Sequence, residues 1–552
     1  MDNNWDKRVI YQIYPRSFKD SNKDGIGDLN GITDKLSYLK ELGIDAIWLS
    51  PIYKSPMRDF GYDISDYYDI DPIFGNINDF DNLIKSAHKL DIRVLMDFVP
   101  NHTSIDHPWF KQSASGKNNP KRNWYIWRKP NKDGSPPNNW LSQFGGPAWE
   151  LDKTTNEYYL HTFDVSQPDL NWRNQEVVEN ILDAMRYWMK RGVDGFRVDV
   201  AYYLFKDPFF RDEPPNPLYK GDRPLYDSLL HIYTIALPET LSMLKKLSDV
   251  MDEFKDKFMV CEIYTFLHEI VNLYKIIDKK SFAPFNFSFI FIAWDAREQK
   301  KFIDEFDKLV GPNYFPTFVL GNHDQPRIAT RVGENGARTA AMLQLTLRGI
   351  PFIYYGEELG LKNVVIPEEK VRDPMAVNLK GLNLGRDPVR TPMQWNESKF
   401  GGFSAVEPWL PLEKEYKERN VCTEEKDKKS FLNLYKSLIH LRKTRISLTT
   451  GKYIPLDFKN ENILGFIRQK ADEKTLVIVN FSDKVQKVRL PKGNWKTILS
   501  TDMSTNNNVE TGKVELHSSE GIIYSFTGLS LRAVRSLSKL TVATATVVSP
   551  AP

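Results

Sequence analysis

Cysteine is nearly absent from the 552-residue chain, with only Cys261 and Cys422 present. Two cysteines so far apart exclude a disulfide framework and a zinc site built on close Cys pairs, and they imply a reducing compartment. An excess of one charge is also missing. Lys and Arg total 75 against 72 Asp and Glu, a net charge of +3. The chain therefore carries no global attraction for nucleic acid or an anionic membrane, and an uncharged partner is expected. No stretch reaches the ~18 consecutive apolar residues of a membrane span. Met1 to Tyr14 lacks the basic region, apolar run and cleavage site of a secretion signal. These absences predict a soluble cytoplasmic protein; they leave the oligomeric state open.

What is there is a globular composition, 41% hydrophobic and 27% charged, which rules out disordered, collagen-like and coiled-coil chains. Aromatics are abundant at 13%, with 13 Trp. A large core explains part of that surplus, and flat aromatic faces also suit stacking against a neutral sugar ring.

Short β-branched and aromatic runs alternate with segments of helical periodicity. The runs are Val9 to Tyr14, Ala46 to Leu49, Arg93 to Asp97, Gly195 to Asp199, Phe258 to Ile263, Phe285 to Phe289, Phe318 to Gly321 and Pro351 to Tyr354. Eight alternations predict an α/β fold, a (β/α)8 TIM barrel, whose active site lies at the carboxyl ends of the strands. Residues 102–170 are too long and too rich in Pro, Gly and Asn for a loop and read as an inserted subdomain after strand three. That insert holds Trp109, Trp124, Trp127, Trp140 and Trp149, either as its own core or as a wall of the binding cleft. From Lys452 short alternating strands take over, for example Leu464 to Arg468, Thr475 to Asn480 and Val485 to Leu490, and predict a C-terminal antiparallel β-sandwich. The expected division is barrel 1–101, insert 102–170, barrel 171–451, β-sandwich 452–539 with a last strand at Leu529 to Val534, and a frayed tail 540–552.

Polar residues cluster at the predicted strand ends. Strand three runs into Asn101-His102, strand four ends Gly195-Phe-Arg197-Val-Asp199, strand five ends Cys261-Glu262, and strand seven leads to Gly321-Asn322-His323-Asp324. One carboxylate at a strand end is usually a loop anchor or helix cap. Three carboxylates, two His and one Arg on one barrel face, without metal-ligand spacing or a Ser or Cys nucleophile elbow, suit glycosidic cleavage by paired carboxyls.

Together with Gly61-Tyr62-Asp63, Gln167-Pro-Asp-Leu-Asn171 and Arg390-Thr-Pro-Met-Gln-Trp395, these motifs resemble glycoside hydrolase family 13, the α-amylase family, in its α-glucosidase and oligo-1,6-glucosidase branch. The resemblance runs from Trp5 to Val534 in the family's motif order. It implies that Asp199 is the nucleophile, Glu262 the general acid/base and Asp324 the carboxylate that holds the sugar ring distorted. Arg197 would keep Asp199 charged. Retention of the α configuration requires the two carboxyls to lie about 5 to 5.5 Å apart. His102 and His323 match family histidines that bind sugar hydroxyls, Tyr62 the aromatic platform, and Asp59 with Arg390 a pair that grips the terminal glucose and closes the cleft to a pocket.

The resemblance also implies a Ca²⁺ site at Asp20, Asn22, Asp24, the Ile26 carbonyl and Asp28, whose alternating oxygens around a Gly turn look like the first half of a calcium loop without its closing Glu. Linkage cues conflict. Val200 after the nucleophile accompanies α-1,6 activity in the family, whereas Val371-Arg-Asp-Pro374 and Gly385-Arg-Asp-Pro-Val-Arg390 look like α-1,4 enzymes of short substrates. The implied activity is release of α-glucose from the non-reducing end of small neutral α-glucosides. Transglucosidases and sucrose isomerases share these residues. Transporter heavy chains keep the barrel without catalysis, but they carry a membrane helix and lack the carboxylates.

Overall fold

A computed structural model describes residues 5–504 and 509–528. Eight short parallel strands form its largest sheet: β1 (Ile10–Ile13), β2 (Ala46–Leu49), β3 (Arg93–Phe98), β4 (Gly195–Val198), β5 (Phe258–Cys261), β6 (Phe282–Pro284), β7 (Thr317–Val319) and β8 (Ile350–Tyr354). Their order is β6-β5-β4-β3-β2-β1-β8-β7, so β1 pairs with both β2 and β8 as in a barrel. A side chain closes the seam. The Thr317 hydroxyl donates to the Pro284 carbonyl (3.0 Å) and accepts from the Asn286 amide (2.9 Å), joining β7 to the end of β6. The strands are continuous apolar runs because helices cover the outside while the interior packs on itself. Gly195 opens β4 where a Cβ would stand 1.8 Å from the Phe258 carbonyl oxygen, so only glycine lets β4 and β5 approach.

The helix Gln175–Lys190 shows how the outer layer forms. The Asn174 side chain accepts from the Glu176 amide, and Val177, Val178, Ile181, Ala184, Met185, Trp188 and Met189 bury one face at three- and four-residue spacing. Trp188 is fully buried and donates to the Tyr67 carbonyl at 2.6 Å.

One predicted strand is displaced. The sixth was expected at Phe285 to Phe289 but occupies Phe282–Pro284, and Ser288–Phe291 is a helical turn. The alternating phenylalanines imitate a strand, yet pairing with β5 through Met259 and Phe282 sets the register. Phe285 instead packs on Trp48 and Phe352 across the barrel interior.

Between β3 and β4, the strands Trp127–Arg128, Glu157–Leu160 and Trp149–Asp152 form a small antiparallel sheet. Its tryptophans follow the core reading, and Trp124, Trp127, Trp140 and Trp149 are buried. Trp140 and Trp149 pack with Tyr158, Leu160, Phe210 and Tyr233 in a separate apolar cluster.

At the other end of the chain, β9 (Lys452–Leu456), β10 (Ile463–Lys470), β11 (Glu473–Asn480), β12 (Gln486–Arg489), β13 (Asn494–Ser500), β14 (Val509–Glu510), β15 (Lys513–Leu516) and β16 (Gly521–Gly528) make two antiparallel sheets, β9-β10-β11-β16-β13-β14 and β12-β15. Buried Arg468 fastens them to the barrel by donating to the Thr346 and Gly451 carbonyls at 2.5 and 3.0 Å. The strand expected at Leu529 to Val534 and the tail 540–552 lie outside the described residues.

Candidate active site

The chemistry gathers at the carboxyl ends of the strands. Asp199 follows β4 directly, Glu262 follows β5, and His102 and Asp324 lie in the segments after β3 and β7. Alternation along β4 points Arg197 to the same side as Asp199, into the barrel. There its guanidinium, 1% exposed, joins three carboxyls: Nη1 meets Asp97 Oδ1 at 2.8 Å and Asp199 Oδ1 at 2.7 Å, while Nη2 meets Glu262 Oε2 at 2.7 Å. Asp199 and Glu262 are thus held side by side on one guanidinium.

Burial raises the Asp199 pKa well above the ordinary aspartate value. Arg197 opposes that rise, and the charges of Glu262 and Asp97 add to it. Asp97 is pushed up to about 6 by burial against the pull of Arg197.

A chain of hydrogen bonds fixes the neighbouring groups. Gln12 Nε2 lies 2.8 Å from His323 Nδ1, His323 Nε2 lies 2.6 Å from the Tyr62 hydroxyl, and that hydroxyl donates to Asp97 Oδ2 at 3.1 Å. Tyr62 stacks on His323 with an interplanar angle of 3°. Burial keeps His323 neutral and lowers His102 to about 4. Gln167, within the motif read from the sequence, donates to Asp59 Oδ2 (3.1 Å) and lies 3.3 Å from His102 Nε2.

The expected pair of Asp59 with Arg390 is corrected. Arg386 is the cation on Asp59: its Nη2 lies 2.7 Å from Asp59 Oδ1 and 2.6 Å from Asp373 Oδ1, and its Nη1 lies 3.4 Å from Asp324 Oδ1. Arg390 instead bonds Asp324 at 3.0 Å and the His323 carbonyl at 2.8 Å. Both belong to one motif, and a three-residue helical turn at Asp387–Val389 decides which guanidinium reaches Asp59. Burial acts upward on Asp324 but is outweighed by Arg386, Arg390 and Arg197, which hold it far below the usual carboxylate range. Asp97, Asp373, Arg386 and Gln12 are site residues that motif reading assigned no role; three of them had a signal, Asp97 as the end of the predicted third strand, Asp373 within Val371-Arg-Asp-Pro374 and Arg386 within Gly385-Arg-Asp-Pro-Val-Arg390.

Val200 has φ +36° and ψ +47°, a left-handed conformation that is strained for a β-branched residue. The strain aims a donor: the Val200 amide bonds Glu262 Oε2 at 3.0 Å, tying Glu262 to the residue after Asp199. Beyond it Gln143 of the insert donates to the hydroxyls of Tyr203 and of Tyr226, the latter in the long segment after β4. That segment docks on the insert, with Trp140 donating to the Arg211 carbonyl (2.9 Å) and Asn138 to the Phe210 carbonyl (3.1 Å). A cavity of about 620 Å3 opens behind this junction, between Trp127, Arg128, Phe205 and Phe210, and contains none of the catalytic carboxyls.

The loop from Asp20 to Asp28 is a ladder of turns. Asp20 accepts from the Lys23 and Gly25 amides (2.6 and 3.0 Å), Asn22 from Asp24 (3.0 Å) and Asp24 from Ile26 (2.8 Å), while Asp28 caps the following helix at the Gly31 amide (2.7 Å). The donor set is all hard oxygen, as a calcium ion requires, although Asp20 Oδ2 already accepts from the Gly25 amide and the Ser404 hydroxyl, and Asp28 Oδ1 from the Ser21 hydroxyl and the Gly31 amide. Among the described residues, no three Asp, Glu, His or Cys side chains stand close enough to hold a metal as they are placed.

Comparison with known proteins agrees with this geometry. Residues 12–451 match the alpha amylase catalytic domain, and residues 463–523 match the alpha-amylase SusG C-terminal domain. The chain is 42% identical to an alpha-glucosidase of Apis mellifera (87% of this chain, 86% of that one). It is 40% identical to an oligo-1,6-glucosidase of Parageobacillus thermoglucosidasius (88% and 92%). The crystal structure of the alpha-glucosyl transfer enzyme XgtA superposes with a TM-score of 0.89 at 36% identity (95% and 100%). The chain belongs to glycoside hydrolase family 13, the α-amylase family.

Proposed function

We propose that this protein is an exo-acting, retaining α-glucosidase that releases α-glucose from the non-reducing end of short α-glucosides. The observation that carries the reading is the Arg197 guanidinium holding Asp199 and Glu262 side by side. Carboxyls bridged by one guanidinium stand close together, the arrangement a double displacement needs, whereas an inverting enzyme holds them apart with a water between. Glu262 gives a proton to the leaving oxygen while Asp199 attacks the anomeric carbon and forms a glycosyl-enzyme. Glu262 then takes a proton from water, which attacks the same carbon and frees Asp199. Six carboxyls (Asp59, Asp97, Asp199, Glu262, Asp324 and Asp373) meet three guanidiniums (Arg197, Arg386 and Arg390), an acidic surplus that favours the positive charge of an oxocarbenium-like transition state and disfavours an anionic sugar in this subsite. The Arg386–Asp59 pair, buried beside Gln167, supports a closed floor and cleavage at a chain end.

Incubation with maltose, isomaltose, sucrose, trehalose and starch, with the anomer of released glucose followed by NMR, tests this. Glucose should appear first as the α anomer and faster from disaccharides than from starch. No glucose from any small substrate, or release of the β anomer, would refute the reading. A second reading, transfer to another sugar, is supported by the polar trio Tyr203, Gln143 and Tyr226 beside Glu262; chromatography at high substrate concentration separates transfer products from hydrolysis.

Two further expectations attach to named residues. Val200→Thr keeps the branching at Cβ but adds a hydroxyl beside the leaving group, and it is expected to raise the maltose to isomaltose rate ratio at least about threefold. An unchanged ratio would remove Val200 from linkage selection. A calcium ion in the first loop, held by Asp20, Asn22, Asp24, the Ile26 carbonyl and Asp28, would be structural, because those residues stand apart from the catalytic carboxyls. Millimolar Ca²⁺ added to chelated protein is expected to raise Tm, and Asp24→Asn to abolish that rise; no calcium-dependent change in Tm would dispose of the site.

A further inference from the structure

Lys206 lies seven residues beyond Asp199 and is buried, 4% exposed. A buried ammonium has three protons to place, and here each finds an acceptor from a different part of the chain. Nζ meets Asp169 Oδ2 at 2.9 Å and Asn101 Oδ1 at 3.3 Å, and it donates to the Tyr203 carbonyl. Asp169 belongs to the Gln167–Asn171 motif at the end of the insert, Asn101 to the end of β3, and Tyr203 to the turn after the nucleophile.

Asp169 is saturated in turn. Oδ1 accepts from the Thr162 amide (2.9 Å) and Asn101 Nδ2 (3.3 Å), and Oδ2 accepts from the Thr162 hydroxyl (2.5 Å) as well as from Lys206. His102 sits against this knot. Asn101 Nδ2 is 3.2 Å from His102 Nδ1, His102 and Asp169 form a backbone bridge, and His102 Nε2 faces the Tyr62 carbonyl and Gln167, which itself holds Asp59.

We propose that Lys206 is a positioning residue for sugar recognition: with Asp169 it pins the insert to the ends of β3 and β4 and so sets His102, Gln167 and Asp59 around the terminal sugar. The pair also cancels charge locally. The charged groups bearing on His102 are Asp169, which favours its protonation, and Lys206, which opposes it; burial keeps the ring neutral. Removing Lys206 alone leaves a buried carboxylate facing the ring. A proton on His102 then costs less, and Nδ1, once protonated, can no longer accept from Asn101 Nδ2, which unseats the ring.

The test is kinetic. Lys206→Met is expected to lower kcat/KM on maltose by on the order of 100-fold, with most of the loss in KM, because the sugar-binding groups move while Asp199 and Glu262 stay on Arg197. Its kcat/KM profile should show an acid limb moved to higher pH. The double variant Lys206→Met with Asp169→Asn removes both charges and should return that limb to its wild-type position. Should Lys206→Met fail to fold, Asp169→Asn with Lys206 retained gives the converse readout, an acid limb moved to lower pH or unmoved, with KM raised. A folded Lys206→Met enzyme with wild-type KM and pH profile, altered only in Tm, would overturn the proposal, as would an acid limb that the double variant fails to restore.

Discussion

Asp199→Ala is expected to lower kcat on maltose by at least about 10⁴-fold while leaving substrate binding measurable. The loss follows from geometry. Asp199 is the carboxyl that leaves β4 toward the cleft, and once it is gone Arg197 still holds Asp97 and Glu262, neither of which sits directly behind that strand end. The isosteric Asp199→Asn should be nearly as slow but more stable. Three carboxyls crowd one buried cation, and making one of them neutral relieves repulsion that folding otherwise has to overcome. Thermal unfolding beside single-turnover kinetics checks both halves. A rate loss under about tenfold, or a fall in Tm for Asp199→Asn, would show that the carboxyl is a structural anchor. For the wild-type enzyme the ionisation of Asp199, raised above the ordinary aspartate range by burial and neighbouring charge, contributes to the acid limb of kcat/KM beside that of His102.

The second large effect is expected at Arg386. Among the described residues it is the one cation in ion-pair contact with Asp59 and Asp373, and it shares Asp324 with Arg390. Arg386→Ala strands two buried carboxylates, a change worth about 3 to 5 kcal/mol of stability by analogy with other buried pairs. It should also lower kcat/KM on maltose by on the order of 10³-fold, since Asp59 loses its orientation toward the terminal sugar. Arg386→Lys retains a charge but cannot bond Asp59 and Asp373 through one planar fork, so it should recover stability more than activity. If the pair closes the floor, the surviving activity should shift toward longer substrates. The maltohexaose to maltose rate ratio reads this directly, and a constant ratio would separate Arg386 from chain-end selection. Arg390→Ala, which leaves the Asp59 contact intact, should preserve that ratio.

The barrel was legible because its signals are local: apolar runs of strand length, helical spacing between them, and polar residues where the runs stop. The carboxyls at 199, 262 and 324 were legible for the same reason. Long-range pairing was not. Phe285, Phe287 and Phe289 carry the period of a strand, but only the contact of Phe282 with Met259 shows where β6 lies. Arg386 and Arg390 sit four residues apart in one motif, and which of them meets Asp59, 327 positions away from Arg386, depends on a turn too short to have its own pattern. Lys206 carries no signature, because its three acceptors come from three separate segments. The tryptophans of the insert misled in a milder way, since bulk in the sequence says nothing about which side it packs on.

The docking of the segment after β4 on the insert has one more consequence. Phe210 lies 5.5 Å from the Trp140 ring and 6.0 Å from the Trp149 ring, and Arg128 covers its other face at 3.6 Å. Parting the insert from the segment after β4 would expose that aromatic plug to water, a penalty that grows with its apolar area. The two segments are therefore locked as one wall, and loosening either should unseat the other.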